Sequence, residues 1–370
     1  MLFTRPDSAT VEILKSFEKD GKYFVKIFPL LFYPDGSGGQ IGDRGVIGEA
    51  KVLSVNSELV EVDRNIKVGL KIKAEVDIER RKEIARQHTA QHILSAAIEK
   101  LYEAKTVGFH MSEEVTTVDL DSNFSIKEVE NLTNEIVMSN IEVEEMLLSP
   151  QEVQNYTLRK RLSQKALESD KIRLIKIGDF DVNACGGFHV SRTGEIGIVK
   201  ITHSEKIKGK LTRIWFLAGK RAFEDYSLKE EVILKTSKLF DASWKDLKVR
   251  VEKCLEESKM KSSQIKKLSE SLAKYISQNI KYGDVIELDK NVASFVTRAR
   301  QDVPYSVKHS SSNDVAACIP KIPKEEVIRW AKSFGGKGGG KGPIYHFSFE
   351  DFEKFKDAFK ELVEQISSTH

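Results

Sequence analysis

Two ligand-type pairs constrain this chain more than any other feature. His88 and His92 form one; Cys185 and His189 form the other, starting 93 residues after His92. Each pair is spaced i, i+4. Together they offer three imidazoles and one thiolate, the donor set of a tetrahedral zinc site. A fold that uses them must carry a helix and a distant glycine turn to one point. Alone, either pair is weak, since two histidines one turn apart are commonly one core residue and one solvated one. Jointly, each supplies what the other lacks.

The surrounding pattern is α+β. The segments 11–13, 23–27, 46–55, 59–62 and 70–74 read as short strands parted by Gly, Asn or Asp, as in a small β-barrel. A turn-rich loop, 34–45, interrupts them. From 77 to 102 the pattern turns helical, with Ala85, Ala90, Ala96 and Ala97 favouring helix, so that His88 and His92 share a face. Further helices are predicted over 125–140 and 149–166, a strand over 173–177 and a loop over 178–197. Gly186 and Gly187 are expected to let the backbone turn tightly between Cys185 and His189.

Residues 221–278 carry a heptad-like stripe that includes Leu228, Val232, Leu255, Ile265, Leu268 and Leu272. It is broken at 241–243, where Ser243 and Asp246 resemble a capping box. An intramolecular hairpin and a homodimer satisfy it equally. Beyond Gly283, strands are expected over 285–288 and 292–296, a helix over 325–332, a glycine loop over 335–342 and a last helix over 349–366. The expected layout is a β-barrel domain over 1–76, a zinc-containing α+β domain over 77–222, a helical coiled-coil linker over 223–281, and a C-terminal α/β domain with a glycine-rich loop over 282–370.

Arg80 and Arg81, followed by His88, Thr89, Ala90, Gln91 and His92, resemble the HTATH segment of the editing domain of alanyl-tRNA synthetases and the AlaX editing proteins. Cys185, Gly186, Gly187, Phe188 and His189, with 193–197 after them, resemble that family's CGGTH segment. Phe32, Tyr33, Gly38, Gly39, Gln40 and Asp43 resemble its barrel loop. The stretch 331–341 resembles the glycine motif of the synthetase's C-terminal domain. The similarity runs through nearly the whole chain in order, and the chain begins at the barrel. It therefore resembles the long, free-standing AlaX type, without an aminoacylation domain. The resemblance implies a trans-editing hydrolase that cleaves the ester of seryl- or glycyl-tRNA specific for alanine. It implies Zn2+ on His88, His92, Cys185 and His189, and tRNA as partner. The general base is not legible. Four protein ligands are usual for structural zinc, whereas catalysis wants an open position, and the sequence leaves both open.

Two departures motivate an alternative, a zinc-containing tRNA-binding paralogue without efficient editing. Leu30 and Phe188 stand where the family has threonine, and both are expected to remove hydroxyls from the pocket beside the metal, weakening selection of serine. A glycine-motif phosphoesterase ranks last, because the Asp- and His-rich cluster of such enzymes is missing.

Gly38, Gly39 and Gln40 are expected to approach the terminal adenosine phosphates. Arg80 and Arg81 either contact phosphates or form a solvated helix start. Residues 200–221 hold seven Lys/Arg, Lys210 and Arg213 among them, against the single acid Glu205. These, with Lys337 and Lys341 of the glycine loop, are candidates for RNA phosphates. The net charge of +3 implies no partner by itself, and no DNA partner is expected. Three irregularly placed cysteines exclude a disulfide framework and favour a reducing cytoplasm. No signal peptide is evident, and no apolar run reaches membrane-spanning length.

Overall fold

The computed structural model describes residues 6–162, 164–207, 209 and 211–368. They fall into two units, Met1–Ile233 and Leu234–His370.

The first unit opens with β1 (Ser8–Lys19), β2 (Lys22–Phe28), β3 (Gly45–Ile47), β4 (Ala50–Asn56), β5 (Leu59–Val62) and β6 (Lys71–Val76). They close into a barrel in the order β1-β2-β5-β4-β3-β6. Alternate side chains, such as Val11 and Ile13, Val25 and Ile27, or Val60 and Val62, fill it, the two-residue period of a strand with one buried face. The segment 46–55 is two strands rather than one. Gly48, at φ 60°, reverses the chain between β3 and β4, a backbone region that penalises side chains.

Next comes α1 (Ile78–Tyr102). Asp77 caps it by accepting from the Arg80 N–H at 3.0 Å, and Glu103, at φ 54°, ends it. Its residues are almost continuously buried from Ile84 to Ile98, so it runs through a core instead of lying on one. Around it stand β7 (Thr106–Met111), β8 (Thr116–Leu120), α2 (Ile126–Met138), β9 (Val143–Leu148), α3 (Pro150–Val153), α4 (Gln164–Leu167), β10 (Ile172–Ile177), β11 (Asp181–Ala184), β12 (Val199–Lys206) and β13 (Thr212–Ala218). Two antiparallel sheets form, β12-β13-β8-β7 and β11-β10-β9. The helix expected over 149–166 is not continuous. The helices α3 and α4 are single turns, and between them Tyr156, Leu158 and Leu162 reach the apolar patch of Val153, Ile172 and Leu174 from irregular backbone.

The helix α5 (Gly219–Leu239) begins in the first unit and ends in the second. The next helix, α6, spans Leu247–Asn279. Between them Asp241 takes φ 46°. The Ser243 hydroxyl donates to Asp246 at 2.6 Å, but the helix begins only at Leu247. The side chains of Leu228, Val232, Leu255, Ile265, Leu268 and Leu272 stand exposed.

The second unit has a five-stranded sheet of β14 (Val285–Leu288), β15 (Tyr305–His309), β16 (Asp314–Cys318), β17 (Lys337–Gly340) and β18 (Ile344–Ser348), in the order β14-β15-β16-β18-β17. With it go α7 (Lys290–Ala299), α8 (Lys324–Ser333) and α9 (Phe352–Ser368). The strand expected over 292–296 is part of α7. Asp289 caps that helix, and Val292, Ala293, Val296 and Thr297 make a buried helical face. Part of the expected glycine loop is the edge strand β17. A Cβ at Gly338 would lie 2.1 Å from the His346 carbonyl oxygen, so this close pairing needs glycine. No helix among the described residues is long and apolar enough to cross a membrane.

Candidate metal centre

His88 and His92 project from α1, and Cys185 and His189 from the loop after β11. One nitrogen or sulfur from each lies within 4.8 Å of the others. The Cys185 Sγ is 3.4 Å from His88 Nε2 and 3.3 Å from His189 Nε2. All three histidines are buried, and Cys185 is the most accessible of the four.

Each imidazole is held from behind through Nδ1. Gln40 Oε1 stands 2.8 Å from His88 Nδ1, Asp181 Oδ2 stands 3.2 Å from His92 Nδ1, and Thr89 Oγ1 stands 3.1 Å from His189 Nδ1. The protons can be assigned from these partners. Gln40 Oε1 also accepts the Phe188 N–H at 2.9 Å, so it is the amide oxygen that faces His88. The Thr89 hydroxyl spends its proton on the Ala85 carbonyl at 2.8 Å and accepts the Val190 N–H at 3.1 Å. Asp181 is a carboxylate. All three partners therefore accept from Nδ1–H, which directs the Nε2 side of each ring toward the sulfur. A polar group fixing ring orientation from behind is how metal-binding histidines are ordinarily held.

The electrostatics agree. Burial pushes the Cys185 thiol up, but His88 and His189 beside it bring it well below its ordinary value. Burial lowers His189 to about 3. Burial acts the same way on His92, yet Asp181 and Cys185 hold it up at about 9. Thiolate and neutral imidazole are the metal-binding forms, so a cation loading this quartet would release the proton on His92. The donor set and its convergence fit zinc.

The loop that carries Cys185 is clamped. Arg173 Nη1 donates to the carbonyls of Cys185 and Gly187 at 2.7 and 2.8 Å while its guanidinium pairs with Glu145 at 3.0 Å. The Tyr33 hydroxyl donates to the Gly186 carbonyl at 3.2 Å. Neither Gly186 nor Gly187 is among the residues at positive φ, so the expected tight turn is not what requires them. Gly187 supplies clearance. A Cβ there would sit 2.2 Å from His88 Cε1 and 2.4 Å from Gln40 Oε1.

The barrel loop is built into the same centre. Asp43, fully buried, accepts from the Tyr33 N–H at 2.8 Å and pairs with Arg81 at 2.6 Å. Arg81 is 0 % exposed and lies over the Phe188 ring, 4.9 Å from its centroid. A guanidinium without exposed surface does not meet a phosphate, so the RNA contact expected of Arg81 gives way to an internal ion pair. Gln40, 1 % exposed, likewise faces His88 rather than a phosphate. Its Nε2 is buried with no partner among the described residues. Gly38, at φ 63°, and Gly39, at φ 77°, shape the turn that delivers Gln40. Arg80 is committed to Glu113 at 2.6 Å and to the Gly42 carbonyl at 3.0 Å.

Of the remaining expected site residues, Phe188 adjoins His189 and its N–H is held by Gln40 Oε1 at 2.9 Å. Leu30 packs on the barrel's own cluster. Phe188 is in the core around α1, 4.8 Å from the Tyr33 ring. Arg213 pairs with Asp119 at 2.7 Å across β13 and β8, and Lys200 with Glu130 at 2.6 Å, so part of the basic run is internally neutralised. Lys337 and Lys341 are exposed in the second unit, Lys337 being 3.8 Å from Glu350. Lys210 lies outside the described residues. Sequence reasoning missed the role of Thr89, and missed Asp181 and Arg159 altogether, the last of which pairs with Asp181 at 2.8 Å. Only tertiary contact, across 89 residues between His92 and Asp181, reveals them.

Residues 172–214 match the family model of the threonyl and alanyl tRNA synthetase second additional domain; this span includes Cys185 and His189. Over 232 residues the chain is 35% identical to the alanyl-tRNA editing protein AlaX-L of Pyrococcus horikoshii, covering 58% of this chain and 55% of that protein. It is 29% identical over 399 residues to an alanine–tRNA ligase of Methanobrevibacter smithii, covering 96% of this chain and 44% of the ligase. With the ligase of Sulfurisphaera tokodaii it shares 26% identity over 359 residues, 87% of this chain and 39% of that protein. The chain thus spans about half or less of the length of these relatives. Over these spans it is similar in sequence to alanyl-tRNA synthetases and to an alanyl-tRNA editing protein.

Proposed function

We propose that this chain hydrolyses the ester of mischarged alanine tRNA, carrying serine or glycine, at a zinc centre made by His88, His92, Cys185 and His189. The observation that carries this reading is the convergence of the four ligand atoms within 4.8 Å, each imidazole held through Nδ1. The name of the AlaX-L relative supports the substrate class.

A zinc ion here would polarise an ester carbonyl or orient the ester, as zinc does in hydrolases. The chain's own groups would do the rest. Cys185, the most accessible ligand, marks the side from which an ester arrives. Phe188, Tyr33 and Phe109 place apolar rings around His88 and its loop, limiting water. Asp181 does not serve as a free base, because both its oxygens are taken by His92 and Arg159.

One observation favours a second reading, a zinc-containing tRNA-binding protein without efficient editing. Four protein donors converge on the site, the pattern of closed structural zinc. The domain layout of 1–76, 77–222, 223–281 and 282–370 belongs to both readings. So does self-association through the exposed stripe of α5 and α6.

Deacylation of seryl-, glycyl- and alanyl-tRNA decides between them. The first reading expects loss of seryl or glycyl ester well above alanyl ester, and Cys185→Ala to lose zinc and turnover together. Background-level loss of all three esters, with zinc present, leaves only the second.

A further inference from the structure

Beside the quartet the first unit has a cavity of about 400 Å³, within the size range of ligand pockets. Its lining includes Lys160, Arg161, Lys171 and Arg173, with Cys185 and Gly186 from the metal loop. Among the described residues no carboxylate lines it. Arg173 is committed to Glu145 and to the loop carbonyls. Lys160, Arg161 and Lys171 are exposed, and among the described residues none forms an ion pair within 4.0 Å. Lys171 is felt electrostatically by Glu152, but the Glu152 carboxylate is itself engaged by Ser149 at 2.8 Å.

The backbone that presents two of these cations is anchored. Arg159 N–H donates to the Val182 carbonyl at 3.1 Å, the Arg159 side chain pairs with Asp181, and Lys160 N–H donates to Asn183 Oδ1 at 3.3 Å. The same Asp181 holds His92. The cationic wall and the metal ligands are thus fastened to one strand, β11. A concave site with three cations outside any ion pair and, among its described lining residues, no acid suits a polyanion, and Cys185 in its wall suits one that ends at the metal ligands.

We propose that Lys160, Arg161 and Lys171 bind the phosphodiester backbone of the single-stranded 3′ end of a tRNA, leading its terminal ribose to Cys185. This rests on the tRNA reading above and deepens it by naming the groups that guide the acceptor end. The cations hold phosphates and are not catalytic residues.

The test compares intact tRNA with the same tRNA lacking its last three nucleotides, by fluorescence anisotropy from 50 to 300 mM salt. The wild-type chain should bind the intact form more tightly. In Lys160→Gln/Arg161→Gln/Lys171→Gln that preference should vanish, and the slope of log affinity against log salt should shrink by about 2, from roughly 0.7 per single-strand phosphate contact. Zinc content should not change, since no ligand is altered. Lys160→Gln and Lys171→Gln singly should each give about a third of the slope change. An undiminished preference in the triple variant overturns the proposal. So does an equal loss for both RNAs, which would mark an unspecific basic face, or a wild-type chain indifferent to the 3′ end. If the wild type prefers intact tRNA, the triple variant loses that preference, and no ester is hydrolysed, the hydrolase reading falls while the cleft stands.

Discussion

Gly187→Ala is the sharpest probe of the metal centre. The added methyl would stand 2.2 Å from His88 Cε1, 2.3 Å from His88 Nδ1 and 2.4 Å from Gln40 Oε1. Ordinary carbon contacts are about 3.5–4.0 Å, so the His88 ring or the Cys185 loop must retreat by more than 1 Å, on the order of five times the roughly 0.2 Å latitude of a metal–ligand distance. Neither is free to do so cheaply. His88 is held by Gln40, and the loop by Arg173 and Tyr33. Overpacking of this kind costs about 1–3 kcal/mol. Disturbing the support of one ligand weakens metal binding by about 10- to 100-fold, and losing His88 itself would exceed that. Gly186→Ala is the control, because its methyl would meet nothing nearer than Tyr33 Oη at 4.0 Å. Zinc affinity by chelator competition, with thermal melting alongside, reads both variants. Gly187→Ala should lose at least tenfold in affinity and Gly186→Ala little. Equal, wild-type affinity in the two would refute the assignment of Gly187 as the clearance that lets His88 and Cys185 meet.

Other expectations follow from the barrel. Arg81→Met leaves the Asp43 charge buried without its partner, and removing one side of a buried pair costs about 3–5 kcal/mol; a loss below about 1 kcal/mol in denaturant unfolding would contradict that role. Burial raises the Asp35 carboxyl, but Arg44 and the N–H groups of Val55 and Gly42 outweigh it, so the folded protein holds this group below the ordinary 3.8. A depressed folded value gives stability that is complete above the unfolded pKa and is lost as the pH falls through the folded one. Asp35→Asn should therefore flatten the fall of melting temperature below about pH 4, and an unchanged acid limb would remove Asp35 as a contributor.

What the sequence disclosed depended on whether its signals were local. The barrel showed because one face of each strand is apolar at period two, as in Val60 and Val62. Helix α1 showed through its alanines, and the quartet through the chemistry of its donors. Strands β12 and β13 were hidden because their outward residues, Lys200 and Arg213 among them, read as a basic run, although they pair with Glu130 and Asp119 from elsewhere in the fold. The segment 292–296 misled because Val292 and Val296 suit a strand; the cap from Asp289 and the spacing of buried Val292, Ala293, Val296 and Thr297 decide for helix. Arg81 and Gln40 were legible as motif residues but not in their roles. Nothing local distinguishes a guanidinium awaiting a phosphate from one already matched to a carboxylate 38 residues earlier.

The Arg81–Asp43 pair also has a consequence for how the chain assembles. A cation with no route to water cannot be enclosed before its counter-charge is in position, and Asp43 reaches that position only when the segment between β2 and β3 has settled. Docking of α1 and closure of that segment are therefore energetically coupled, and the same segment carries Gln40 to the back of His88. The stability of the core around α1 thus depends on the barrel loop being in place.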